Sequence, residues 1–485
     1  MNGQHELIEN GAVAVAGNRI VAVGPRAEIE AAYHAAKTID AADKVIMPGL
    51  IDCYSHAGHG MIKGIFRPAL GWPANPIYWH ASTPDWWYAE AMLSALERVR
   101  FGTTTGVSIL GATPARADNP IYADRHLDAI SDIGLRAVLG VGPPDPFIPH
   151  IPTPWSGSHF ENGEWVTRQF TYEDAIENSR DVIRRWHGGA DGRISIALAI
   201  AYLFGRRAIH QRFPYHYDTE RDAPIILKNA RESREIADAE GVQIHTHVFR
   251  GDLAFAEEYY GRETVLEILG PDVVLDHVND ISPSEIALIA EAKANVVTVT
   301  FVGETVGYGA CPVIPLLEAG ANVVMATDGS APYFSLDLWK ELSRTMFTHR
   351  IQHEDMAILP PGKALRMVTI DAAMTLGLQD EIGSLEVGKK ADIILVDLRR
   401  PHLTPRTALP SLLAYYATGN DVDTTIVDGK VLMENRVVLT VDESAMLDMA
   451  IDEQRRSLER IDISQFTELD EQFWTSPRDQ AGVVG

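Results

Sequence analysis

Val45-Ile-Met-Pro-Gly-Leu-Ile-Asp-Cys-Tyr-Ser-His-Ala-Gly-His59 joins an apolar strand to a group of potential metal ligands. It opens as an apolar run, passes through Pro48-Gly49 and ends in a cluster of polar side chains. Alternate residues of a β-strand face the same side. On that period Asp52, Tyr54 and His56 face together, while Cys53 and Ser55 face the other way. A polar trio at the end of an apolar strand packs badly, and it suits a site at the mouth of a barrel.

Working outward, β-patterned apolar runs recur at residues 102–109, 136–141, 194–200, 242–247, 273–277, 295–300 and 322–328, which with the opening strand makes eight. Amphipathic patterns such as 222–239 and 283–292 separate them. Apolar strands alternating with amphipathic helices imply a parallel sheet with helical crossovers. Eight such units over about 250–300 residues match a (β/α)₈ barrel better than a doubly wound sheet. No glycine-rich phosphate loop follows any of the strands, which weakens the doubly wound alternative further.

Both chain ends read as shorter β-structure. Residues 12–16 and 19–24 flank Gly17-Asn18 as a hairpin, and 424–433 form another around Asp428-Gly429. Together with 384–397 these strands are expected to complete one sheet begun by residues 1–44. Residues 6–9 start as if in mid-sheet, so a further strand is expected upstream. The fold class is α/β, a (β/α)₈ TIM barrel with a small flanking β-sandwich built from both chain ends. Its expected parts are 1–44 (sandwich), 45–375 (barrel), 376–440 (sandwich) and 441–485 (helix and tail). Two inserts rich in aromatics, 142–166 and 202–221, follow strands and are expected to be ordered lids at the mouth.

A chain of 485 residues exceeds what one core usually supports, in keeping with a large domain and a smaller one. The net charge of −25 argues against nucleic acid and anionic membranes as partners. Cys53 and Cys311 make no disulfide framework, and no signal or spanning segment is evident, so a cytoplasmic protein is expected. The expected partner is a small-molecule substrate, and the expected assembly a homo-oligomer, dimer or tetramer.

The polar residues that stand out fall at predicted strand ends: Tyr54, His56 and nearby His59 on strand 1, His245 and His247 on strand 5, His277 on strand 6 and Asp328 on strand 8. Each alone is more often a satisfied structural group than a ligand. Jointly, His and Asp from four strands at one barrel mouth make a metal-site arrangement suited to Zn²⁺, Fe²⁺, Co²⁺ or Mn²⁺. Such an ion lowers the pKa of its water toward ~7. His245 keeps the bland reading, since only one of His245 and His247 can sit at the rim.

These residues resemble the amidohydrolase superfamily, and within it the triazine, aminopyrimidine, adenosine-type and phenylurea hydrolases. The resemblance covers nearly the whole chain. Pro48-Gly-Leu-Ile-Asp52 with a following ligand pair is similar to the family's strand-1 signature, His245-Thr-His247 to strand 5, Asp276-His277 to strand 6 and Ala326-Thr-Asp-Gly329 to strand 8. Residues 383–397 resemble the return to the family's β-sandwich. The resemblance implies that His56, His247 and Asp328 bind a metal and that Asp328 also takes the proton of the attacking water. His277 is implied as a further ligand, or as the group that polarises the scissile bond and shuttles a proton. No lysine ends strand 4, so the carbamylated-lysine bridge of the two-metal branch is absent and one ion, zinc first, is expected.

Two departures stand against the family pattern. The strand-1 pair His-x-His is here Tyr54-Ser55-His56, and the glutamate three residues after the strand-5 ligand is Arg250. Tyr54 leaves three readings open: a reduced ligand set helped by His277 or His59, a phenolate ligand, or a weakened or lost metal site. A neutral phenol is a poor ligand, and its pKa of ~10 makes ionisation costly. Arg250 cannot protonate a ring nitrogen; it either binds a carboxylate or carbonyl oxygen of the substrate or pairs with Asp252 or Glu257. Tyr54, His59, Trp87, Arg250 and Glu304 are the candidate substrate-binding residues, with Glu304 a possible substitute acid. The function expected is hydrolysis of an amide-, urea- or carbamate-type C–N bond of a small, aromatic or apolar molecule, with Asp328, His277 and Arg250 as catalytic residues. The rivals are a deaminase or dechlorinase of a nitrogen heterocycle, and a metal-free binding protein or non-hydrolytic enzyme on the same fold.

Overall fold

The computed structural model describes residues 6–65, 74–110, 116–142, 154–205, 219–306, 309–331, 334–468 and 474. At Gly49 the chain leaves one sheet and enters another. Lys44–Pro48 is the edge strand of a five-stranded antiparallel sheet, and Leu50–Asp52 is strand 1 of an eight-stranded parallel one. Glycine is required at the crossing, because a Cβ there would lie 2.1 Å from the Thr104 side chain. The opening stretch is therefore two short strands in two sheets rather than one.

Barrel strands 2 to 8 are Thr103–Ile109, Arg136–Val141, Ile194–Ala199, Ile244–Phe249, Val273–Asn279, Asn295–Thr298 and Val323–Met325, hydrogen-bonded in chain order. They are Val-, Ile- and Ala-rich because helices cover their outer face and side chains fill the inner one. Ile51, Val107, Val138, Val274, Val297 and Val324 share one interior cluster with Tyr54. Ser282 and Glu285 form a capping box that starts the crossover helix Pro283–Ala292.

The barrel closes at the signature residues themselves. Ser55 pairs in parallel with Asp328: the His56 amide donates to the Asp328 carbonyl (3.2 Å) and the Asp328 amide to the Tyr54 carbonyl (3.1 Å). On the other side His56 pairs with Ile109. Residues 54–56 are thus held between strands 2 and 8.

The flanking unit differs from its expectation. Gly11–Ala16 and Arg19–Pro25 form a separate two-stranded sheet, and only Lys44–Pro48 joins Ile393–Asp397, Val422–Val427, Lys430–Glu434 and Val437–Val438. Ile20 of the hairpin packs with Leu385, Ile393 and Leu395, so it shares a small core instead of extending the sheet. The first insert is also more regular than a loop. Trp155–Glu161 and Glu164–Phe170 pair as a hairpin around Asn162-Gly163, both with positive φ. Residues 143–153 and 206–218 of the two inserts lie outside the described residues. The helix Glu443–Leu458 docks on the barrel through Glu453, which accepts from the Thr83 hydroxyl (2.6 Å). Among the described residues no helix is long and apolar enough to cross a membrane.

Candidate active site

Side chains from four strand ends meet around one buried oxygen. The Tyr54 hydroxyl lies 2.7 Å from His56 Nε2, 2.5 Å from His247 Nε2 and 3.4 Å from His277 Nε2. Asp328 Oδ1 is 3.2 Å from His56 Nε2. His247 Nδ1 lies 3.0 Å from the Ala201 carbonyl oxygen, a pure acceptor, so Nδ1 carries the proton and Nε2 is the acceptor. The rings form a stack: His277 lies over His247 (5.1 Å between centroids), Phe249 over His277 (5.3 Å) and His59 over His56 (4.8 Å).

Unusual backbone aims these groups. His277, Val278 and Asp328 have φ of 68°, 52° and 62°, in the left-handed region that non-glycine residues seldom adopt. The pairing of strands 5 and 6 slips at this point, with Phe249 opposite Asn279. His277 thus meets the Tyr54 hydroxyl, while Asp276 before it lies 3.8 Å from His245 Nδ1. Gly329, with φ 126°, follows Asp328 because a Cβ there would lie 2.3 Å from His59 Nδ1.

The electrostatics follow from burial and crowding. Burial, then the charges of Asp328 and Asp276, push the Tyr54 phenol well above its ordinary range. Burial, then the neighbouring His277 and His56, hold His247 well below an ordinary imidazole, and burial with His56 does the same to His59. Burial alone would raise the Asp328 carboxyl. The His56 hydrogen bond and the charges of His277, His56 and His59 outweigh it and keep the group ionised. Asp276 is pushed up to about 6 by burial, tempered by His245, whose Nδ1 is 3.8 Å from Oδ1.

Three imidazoles and a carboxylate are, by chemistry, a donor set for a divalent ion of the zinc class. By geometry, the point they face is held by the Tyr54 hydroxyl at hydrogen-bond distances, where zinc needs nitrogens at about 2.0–2.1 Å. Accordingly, among the described residues no group of three or more His, Cys, Asp or Glu side chains is arranged to hold an ion with the phenol in place.

The structure thus brings together Tyr54, His56, His247, His277 and Asp328, with His59 against them. Four expectations need correction. Asp52 does not face the site: its oxygens take the Thr327 amide (3.0 Å) and hydroxyl (2.7 Å), and Arg98 Nη2 is 3.4 Å away and 2.5 Å from Ser55 Oγ. Strand 1 ends at Asp52 and residues 53 and 54 are not in strand, so the period that was to align Asp52 with Tyr54 is not carried between them. Trp87 is fully buried among Tyr78, Trp86 and Tyr122 and donates to Ser82 Oγ (2.9 Å), so it is core rather than a substrate contact. Glu304, on the helix Thr300–Val306, is engaged by Arg344 (3.1 Å) and Thr348 of the helix Leu338–His353, which ties its carboxylate into that pair. Arg250 pairs with Asp280, across the ends of strands 5 and 6, and not with Asp252 or Glu257.

Sequence reasoning passed over Tyr202 and Phe249, whose rings lie 5.5 Å from His247 and 5.3 Å from His277. Their signal was position alone, one residue or two beyond strands already singled out.

The model of the Amidohydrolase family matches residues 45–432, and an imidazolonepropionase-like composite domain matches 11–36. The chain is 32% identical over 473 residues to the 5-methylthioadenosine/S-adenosylhomocysteine deaminase of Pelotomaculum thermopropionicum, covering 94% of this chain and 96% of that protein. It is 32% identical over 456 residues to the 5'-deoxyadenosine deaminase of Methanosarcina acetivorans, covering 91% and 92%. Among solved structures, an adenosine deaminase from Xanthomonas campestris with bound zinc superposes with a TM-score of 0.77 at 23% identity, covering 94% and 95%. A mutant atrazine chlorohydrolase from Arthrobacter aurescens, solved with zinc and atraton, gives 0.74 at 21%, covering 93% and 97%. With a family model over most of its length and full-length relatives at this identity, the chain belongs to the amidohydrolase family, among hydrolases of C–N bonds other than peptide bonds.

Proposed function

We propose that this chain hydrolyses a C–N bond of a small ring-bearing molecule at the barrel mouth, with one divalent ion, zinc first. The observation that carries the reading is the convergence of His56, His247, His277 and Asp328 from four strand ends on one buried point. His56, His247 and Asp328 would hold the ion, which would supply Lewis-acid polarisation and an acidified water at neutral pH. The chain's own groups divide the rest of the work. Asp328, kept ionised by its imidazole neighbours, accepts a proton from the nucleophilic water. His277 donates to the oxygen or nitrogen on which charge develops. Tyr202 and Phe249 form an aromatic wall beside the reacting centre.

The full-length relatives named as adenosine-type deaminases favour release of ammonia from a nitrogen heterocycle. A second reading, cleavage of an amide, urea or carbamate, is favoured by Arg250, a permanent cation unable to donate to a ring nitrogen as a carboxylic acid does. Ammonia release from adenosine-type nucleosides, aminopyrimidines and aminotriazines, set against cleavage of ureas, carbamates and amides, separates the two. Turnover confined to one panel selects that reading. No turnover in either, with Zn²⁺, Co²⁺, Mn²⁺ or Fe²⁺ supplied, sinks the proposal in favour of a binding or non-hydrolytic protein.

A further inference from the structure

The Tyr54 side chain ends where the imidazoles and Asp328 point, and one hydroxyl meets the needs of several of them. Its single proton can serve one acceptor. His247 Nε2, made an acceptor by the proton its Nδ1 shares with the Ala201 carbonyl, takes it at 2.5 Å. His56 Nε2 faces two acceptors, the Tyr54 oxygen at 2.7 Å and the Asp328 carboxylate at 3.2 Å, so it carries a proton of its own. Phenol and the two imidazoles thereby form a donor–acceptor chain at a fully buried oxygen, with the Asp328 carboxylate beside His56. An imidazole in place of Tyr54 is a shorter side chain, and its nitrogen stops before the shared point; the phenol reaches it.

We infer that the Tyr54 hydroxyl is a built-in competitor for the metal position, so that a divalent ion binds only by displacing it from His56 and His247. This rests on the metal-dependent hydrolase reading above and adds to it a residue that lowers the affinity for the ion. It also assigns Tyr54 among its three readings: the phenol is neither ligand nor bystander, but a hydrogen-bonded occupant of the shared point. Displacement breaks the His247 and His56 contacts in one step, and the proton on His56 Nε2 must leave when that nitrogen turns to the ion.

The test compares the whole wild-type chain with Tyr54→Phe, which keeps the ring and deletes the hydroxyl. Both are stripped with chelator, titrated with Co²⁺ and Zn²⁺, and read by cobalt visible absorption and zinc content; melting temperature is followed in chelator. Tyr54→Phe is expected to bind both ions about tenfold more tightly, the equivalent of two net hydrogen bonds no longer broken on loading. Its chelated form is expected to melt lower than the chelated wild type. Equal or weaker binding by Tyr54→Phe overturns the inference, weaker binding by making the phenol a ligand, and leaves the hydrolase reading standing. If neither protein takes up an ion, the metal-dependent reading falls and this inference with it. Should Tyr54→Phe fail to fold, Tyr54→Leu, which also lacks the hydroxyl and adds no metal ligand, answers the same question.

Discussion

Five consecutive residues, Asp52 to His56, feed two buried polar clusters of opposite character. On one side Asp52 and Ser55 share Arg98, and Asp52 also takes the amide and hydroxyl of Thr327. Charges there are opposite and each carboxylate oxygen has a donor. Gly106 leaves room for the guanidinium, since a Cβ there would lie 2.5 Å from its central carbon. On the other side Tyr54 and His56 meet His247, His277 and Asp328. There, groups of one kind crowd together on left-handed backbone, and the imidazole pKa of His247 is pushed far from ordinary. The first arrangement is what a fold uses to lock strand 1 to strand 8. The second makes little sense as a lock and good sense as chemistry.

Substitutions should separate the two clusters cleanly. Asp328→Asn keeps the shape and removes the proton acceptor; turnover should fall by about 10³-fold or more with the melting temperature little changed. An active Asp328→Asn enzyme would remove the residue from its proposed role. Arg98→Ala strands a buried carboxylate and should cost about 3–5 kcal/mol of stability, measured by denaturant unfolding. A variant as stable as wild type would show that the lock is not one. Arg250→Ala is subtler. Its ion pair with Asp280 is largely exposed, so stability should change by less than about 1 kcal/mol. Cleavage of ureas or carbamates should drop about tenfold or more if Arg250 holds the carbonyl oxygen, and deaminase activity should be spared.

A further effect lies outside both clusters and depends on pH. Glu341, buried on the helix Leu338–His353, is pushed up to about 8 from 4.5 by burial, partly countered by Arg344. A carboxyl whose folded pKa is raised binds its proton more tightly in the folded state. Its contribution is full below about pH 4.5 and is lost as pH rises through about 8. Glu341→Gln should therefore melt higher than wild type at pH 9 and lose that advantage by pH 5. Parallel melting curves across that range would contradict the burial argument.

The barrel was legible in the sequence because its strands are apolar on both faces and its polar residues cluster at their ends. The site was legible for the same reason: His56, His247, His277 and Asp328 stand where apolar runs stop. What alternation could not supply were the places where the backbone departs from it. The switch of sheets at Gly49 is set by close approach to Thr104, and the misplacement of Asp52 by the strand ending there, before Tyr54. The hairpin 155–170 did carry a signal, Asn162-Gly163 between β-patterned runs, which the aromatic content obscured. Trp87 and Glu304 misled because residue type does not say which way a helix turns: one faces the core, the other Arg344.

The central claim is that the mouth cluster is a metal-dependent hydrolytic centre while its neighbour across strand 1 is structural. Metal content of the purified chain, with and without His247→Ala, tests it most directly. After dialysis against Zn²⁺, wild type should retain close to one ion per chain, as three protein ligands and a water would hold it, and His247→Ala well under that. Wild type retaining well under one ion, or His247→Ala retaining as much as wild type, would contradict the account.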